Sequence, residues 1–184
     1  GANFNRFSNS FLRGGPRWRQ ANSRYVFASF GSDNSRMFSY NINYLNVHSD
    51  ENVLGRNRVR VGFVYQPTDA FNISFENQLE ITKDRSQYVS VEDFSGNNRY
   101  ILGRLKNDSF TSTLRFTYSL NPNFSIQFYG QPFISRGRFS NFKYVNTAAA
   151  EKFTERVNFY DENQITSTGS IFEIDENNDG TSDY

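Results

Sequence analysis

The sequence predicts an all-β fold: a segment of an antiparallel up-and-down transmembrane β-barrel with short periplasmic turns and long extracellular loops. Three observations predict it, and the first is the alternation across residues 110–132. Phe110, Leu114, Phe116, Tyr118 and Leu120 fall on one face of an extended chain, with Thr111, Thr113, Arg115, Thr117 and Ser119 on the other. After Asn121-Pro122-Asn123 the pattern resumes, with Phe124, Ile126, Phe128 and Gly130 against Ser125, Gln127, Tyr129 and Gln131. Leu120 facing Phe124 across a three-residue turn would set apolar against apolar throughout. The second observation is length. Residues 110–120 extend about 36 Å at 3.3 Å per residue, or roughly 25 Å of height at a tilt near 45°, the height of the apolar band of an outer-membrane barrel. The third is the order of connections, in which short and long alternate along the chain.

The strands predicted are 17–30, 37–47, 58–66, 71–82, 110–120 and 124–132, with residues 133–184 as an outer-loop region. Gly14-Gly15-Pro16 breaks the backbone and marks residues 1–20 as loop up to the first strand. Tyr25, Val26, Phe27 and Phe30 give strand 17–30 its character, without a clean alternation, and Gly31-Ser32-Asp33-Asn34-Ser35 closes it. Strand 37–47 alternates well, with Phe38, Tyr40, Ile42 and Tyr44 opposite Ser39, Asn41 and Asn43. A longer polar connection, 46–57, carries the single histidine, His48. Val59, Val61, Phe63 and Tyr65 then alternate with Arg58 and Arg60. After the turn at 66–70, Phe71, Ile73, Phe75, Leu79 and Ile81 stand opposite Asn72, Ser74, Glu76, Gln78 and Glu80. Pairing parity brings the two arginines to the face of the two glutamates. Residues 83–108 read as a long polar connection with a hairpin standing above the sheet, from extended patches at 88–91 and 100–105. Beyond Phe133 the alternation dissolves, with a short Ala- and Glu-rich helix expected at 147–156.

Composition agrees with a barrel and excludes other classes. The chain holds 20 Phe and 11 Tyr among 184 residues, yet its mean hydropathy is −0.70. No run approaches the ~18 apolar residues of a spanning helix, whereas alternation hides a lipid face in a polar average. Twenty Lys plus Arg against 19 Asp plus Glu leave a net charge of +1, and nothing argues for a nucleic-acid partner. Without cysteine there is no thiol catalysis and no disulfide framework. The start, Gly1-Ala2-Asn3-Phe4, has neither the basic nor the apolar part of a signal peptide. Six membrane strands fall short of the minimum of eight, and an open edge in lipid is too costly to persist. The expectation is an internal segment of a larger barrel. The competing reading is a soluble, sugar-binding β-sandwich.

The motifs Leu12-Arg13-Gly14-Gly15-Pro16, Ser32-Asp33-Asn34-Ser35-Arg36, IQFYGQPF at 126–133, FSNFK at 139–143 and the acidic run at 175–184 resemble, in that order, a family of Bacteroidota surface proteins. Members of that family place a carbohydrate-binding-like β-sandwich before a C-terminal outer-membrane β-barrel. The resemblance implies a barrel and a bacterial cell outer-membrane address, with outer-membrane lipid as its surroundings and other envelope proteins or surface polysaccharide as partners. Carbohydrate binding follows only by association with the other domain.

No catalytic residue emerges. Glu76 and Glu80 lie about 13 Å apart on one strand, too far for a glycosidase pair, and Arg58 and Arg60 opposite make a lumenal ion-pair ladder the simpler account. His48 has no second histidine or cysteine to complete a site. Tyr40, Tyr44, Tyr65 and Tyr118 fit lipid contact and interfacial girdles rather than sugar platforms. Phe139, Phe142 and Tyr144 are candidates for partner binding or for loop packing. One metal motif stands out. In D-x-N-x-D-G-x-x-D, Asp175, Asn177 and Asp179 occupy positions 1, 3 and 5 of a calcium loop, Gly180 the turn, the Thr181 carbonyl position 7 and Asp183 position 9. A solvated acidic turn has the same composition. The function expected is a non-enzymatic surface anchor, pore wall or subunit of an envelope assembly, with an uptake barrel for a nutrient such as an oligosaccharide as the alternative. Calcium in the outer loop is the one cofactor suggested.

Overall fold

A computed structural model describes residues 1–184. The strands in chain order are β1 (Ala2–Asn3), β2 (Phe7–Ser8), β3 (Trp18–Arg19), β4 (Ser23–Gly31), β5 (Phe38–Ser49), β6 (Leu54–Thr68), β7 (Phe71–Phe94), β8 (Asn97–Asn121), β9 (Phe124–Gly130), β10 (Phe133–Val145), β11 (Val157–Phe159), β12 (Ile165–Thr168) and β13 (Ile171–Ile174). One helical turn, α1 (Phe153–Arg156), precedes β11. All pairing is antiparallel. The main sheet is a meander from β4 to β8, finished by β9 along the lower half of β8 and β10 along its upper half. Gln131 and Pro132 interrupt what is otherwise one long last strand, since proline has no N–H to give the ladder. The sheet is open: β4 and the β9–β10 strand are not paired with each other.

Register divides the sheet into two unlike faces. Cross-strand neighbours Phe38, Tyr65, Ile73 and Phe116 share one face with Tyr44, Val59, Leu79 and Phe110 further up. From Phe71 to Ile81 this apolar band runs about 33 Å along the strand, or roughly 23 Å of height at a 45° tilt. Asn77 and its partner Ser112 interrupt it on β7 and β8, and at its upper limit Ile81 pairs Asp108. At the turn end an aromatic rim closes the band: Phe71 meets Phe116 edge-on at 5.5 Å and Tyr65 at 6.3 Å, and Phe38 stacks on Phe63. The other face carries Asn41, Arg58, Arg60, Glu76, Gln78, Thr113, Arg115 and Gln127.

No second layer covers the band. Phe30, Phe128 and Ile134 are 64%, 55% and 69% exposed, and the remaining sheets are two-stranded, β2–β3 and β12–β13. The buried core lies instead at one end, in a head above the band. Leu12, Trp18, Val53, Leu102, Ala148, Phe153 and Val157 form one cluster, and Ile101, Phe142, Tyr160 and Ile174 a second.

Five sequence expectations need correction. The connection at 46–57 is not long: β5 runs to Ser49, and Glu51 and Asn52 take positive φ so that the chain reverses into Leu54, with the Ser49 hydroxyl accepting from the Leu54 N–H. Short and long connections therefore do not alternate at that point. The connection at 83–108 is strand throughout, because β7 and β8 run 24 and 25 residues and meet at a two-residue turn, Ser95-Gly96, both at positive φ. Strand 17–30 is split, with Trp18–Arg19 pairing Phe7–Ser8 while Asn22 accepts from the Asp50 N–H through its carbonyl. The outer-loop region 133–184 opens with 13 residues of β10, and the helix expected at 147–156 is the single turn α1. At the organising hairpin the turn has two residues, Asn121 pairing Phe124, and Leu120 is bulged out; from Tyr118↔Ile126 inward the expected register holds. Six long strands are present, but the closed barrel is not.

Candidate functional site

Two polar constellations stand out, one on the sheet and one in the head. On β6 the alternation places Arg56, Arg58 and Arg60 on the polar face, and β7 answers with Glu80, Gln78 and Glu76. Arg58 Nε donates to Glu80 Oε2 at 2.5 Å, and Arg56 Nε lies 3.5 Å from Glu80 Oε1. Arg60 donates to Gln78 Oε1 at 2.7 Å and approaches Glu76 at 3.6 Å. The cations of β6 face the carboxylates of β7 across the furrow, so each carboxylate is neutralised at the sheet surface. Next to the ladder Asn41, Ser74, Glu76, Thr113, Arg115 and Gln131 line a cavity of about 260 Å³. Gly62 opens it, since a Cβ there would sit 2.7 Å from the Asn41 amide.

In the head, Glu176 is the centre. Arg99 grips it through Nε at 3.0 Å and a second nitrogen at 2.9 Å, Tyr160 donates at 3.1 Å, and the Tyr184 hydroxyl completes the set. Burial alone would push the Glu176 carboxyl up, but Arg99 and the two hydroxyls outweigh it and hold the group below the usual carboxylate range. The same burial pushes both tyrosine hydroxyls well above theirs. Arg99 also lies over the Tyr144 ring at 4.8 Å. Elsewhere in the head Arg156, 1% exposed, donates to the Arg19 carbonyl and lies 3.5 Å from Glu51, whose carboxylate accepts the Phe153 N–H at 2.9 Å.

The five residues of the calcium motif are brought into one closed loop. The Asp183 N–H donates to the Ile174 carbonyl at 2.8 Å and so shuts the loop behind Asp175. Inside it Asp175 accepts from the N–H groups of Asp179 and Gly180, Asn177 from that of Asp179, and Asp179 from that of Thr181. Asp183 accepts from the Glu176 N–H at 2.8 Å. Gly180 stands at φ +88°, as the turn position requires. No three carboxylates or histidines are gathered as a metal cage. Glu176, the residue between the first two ligand positions, was missed by sequence reasoning; its partner Arg99 is 77 positions away.

The family described as a domain of unknown function, DUF5916, matches residues 12–177. The chain belongs to that family. The DUF5916 match covers the meander and most of the head, and it begins at Leu12, a core residue of the head. No curated protein and no solved structure matches the chain.

Proposed function

We propose that the sheet is part of the wall of an outer-membrane β-barrel in a Bacteroidota-type cell, serving without catalysis as a surface anchor, pore wall or subunit of an envelope assembly. The observation that carries this reading is the uncovered apolar band, of bilayer height and rimmed by aromatics, on the reverse of a hydrated ion-pair ladder. A sandwich would bury that face under a second sheet; lipid covers it at no such requirement. Beyond the short pairings of β1 with the start of β4 and of β11 with the end of β10, the edges along β4 and β9–β10 are unpaired and call for further strands to close the wall. Outer-membrane lipid is then the surrounding partner, and the head offers a surface to envelope proteins or polysaccharide. The furrow beside Glu76 and Arg115 also suits the lining of an uptake pore, and conductance of the full-length protein in a planar bilayer separates pore from plugged anchor.

The test uses tryptophans placed on the two faces. In vesicles with brominated acyl chains, Phe116→Trp is expected to be quenched and Thr117→Trp spared. Equal quenching, or a protein that stays in solution without detergent, refutes the wall and favours the sandwich.

A second reading concerns the tail. The spacing of Asp175, Asn177, Asp179 and Asp183 on a closed loop supports a calcium ion there, held with the Thr181 carbonyl, ordering the outer surface without chemistry. Calorimetry of the full-length protein is expected to show weak binding, on the order of 0.1 to 1 mM. Heat unchanged by Asp175→Ala with Asp179→Ala reduces the motif to a turn.

A further inference from the structure

Above the band, the apolar face passes into cations. Ile81 is its uppermost aliphatic residue on β7, and the next residue on that face is Lys83, paired directly with Lys106 on β8. Lys106 in turn faces Arg138 on β10. Like charges set opposite one another destabilise a sheet, and the carboxylate next along this face of β8, Asp108, is taken up by Arg136 at 3.3 Å, so this belt calls for a counter-charge. Ile81, Lys83, Arg85, Arg104, His48 and Asn57 line one cavity of about 510 Å³. A second, of about 270 Å³, shares Arg85 and Arg104 with it and ends on Lys143. No carboxylate lines either cavity. Lys83, Arg85, Arg104 and Lys143 form no salt bridge. Lys143 is 1% exposed and donates only to the Asn141 carbonyl, at 2.6 Å. Arg85 is held in place by the Glu51 carbonyl at 2.9 Å and the Phe153 ring at 5.0 Å.

We propose that these joined cavities hold the phosphate of an anionic lipid headgroup, whose acyl chains lie along the apolar band below Ile81. This rests on the membrane-wall reading. Three features favour a lipid over a free anion. The cations stand at the height where headgroups begin, directly above the band. Fixed guanidinium forks with lysine ammoniums match phosphate oxygens. The cavity floor is an aliphatic residue continuous with the band, which a hydrated anion has no use for.

Native mass spectrometry of the detergent-held full-length protein tests it with phosphatidic acid and phosphatidylcholine of identical chains. Phosphatidic acid is expected to be retained at least tenfold more strongly. Lys83→Gln with Arg104→Gln should lower that retention about thirtyfold, the effect of removing two cations beside an anionic headgroup. Quenching of Phe116→Trp by brominated lipid should stay as it was, so loss of the lipid site is distinguished from loss of the wall. Equal retention of the two lipids by the unmodified protein overturns the proposal, whether or not the double variant folds. Displacement of phosphatidic acid by equimolar inorganic phosphate also overturns it, and leaves a free-anion site instead.

Discussion

Phe116 and Thr117 are neighbours in sequence and stand on opposite faces of β8. Phe116 pairs Ile73 and Phe128 and meets Phe71 edge-on, while Thr117 pairs Asn72 and Gln127. Phe116→Arg is therefore expected to destabilise the folded protein by about 2 to 4 kcal/mol, with Thr117→Arg nearly silent. A refolding titration in detergent or lipid checks both, and equal tolerance would remove the face assignment. Lys143 gives a pH-dependent case. Burial, helped by Arg85, opposed by Asp84 and reinforced by Arg104, brings its pKa down to about 8 from 10.5. Between those values the unfolded chain binds more protons than the folded one, so stability rises with pH from about 8 to 10.5. Lys143→Met should flatten that rise and raise stability at neutral pH, measured by thermal unfolding at several pH values. Glu176 behaves in the opposite sense. Its depressed pKa contributes stability that is present above the ordinary 4.5 and is lost as pH falls through the lower folded value. Limited proteolysis should find the tail released in acid, and released already at neutral pH in Glu176→Gln; a tail equally protected in both proteins would mean that Glu176 does not hold it.

Among the strands, the ladder between β6 and β7 is the part most exposed to a single change. Glu80 serves both Arg56 and Arg58, so Glu80→Ala strands two cations side by side and should cost about 1 to 2 kcal/mol, more than Glu76→Ala. Chemical unfolding of the two variants compares them directly. This ladder was legible in sequence, because within the band each residue's face decides between lipid-like and watery surroundings and the alternation records that choice. β10 was not legible for the same reason: Arg136 and Arg138 share the face of Ile134 but stand at and above the band's upper limit, Arg136 level with Ile81 through Asp108, where both sides are polar. The upper halves of β7 and β8 were hidden likewise. The acidic loop could be read as a turn because its Asp, Asn and Gly residues are local. Nothing local pairs Arg99 with Glu176, or Arg156 with Glu51, and the head's two centres were therefore invisible until the chain was folded.

At the level of the complete sheet, pairing is between successive strands from β4 to β9, with β10 continuing β9 along β8, whereas the head is tied by contacts of long sequence separation. Arg156 reaches Glu51 across 105 positions and Arg99 reaches Glu176 across 77. Closing such loops before the strands are in place is entropically expensive. The meander is therefore expected to zip hairpin by hairpin, with the head forming last. The arginines of β6 meet the glutamates of β7 as that hairpin forms, Glu80 serving both Arg56 and Arg58, so none of these charges is left as an isolated ion. In the membrane wall proposed above, a head in which Glu51 and Glu176 have found their arginines would be too polar to be drawn back through the bilayer. In that setting the head would act as a ratchet, letting insertion proceed in one direction and making the finished sheet kinetically, and not only thermodynamically, resistant to leaving.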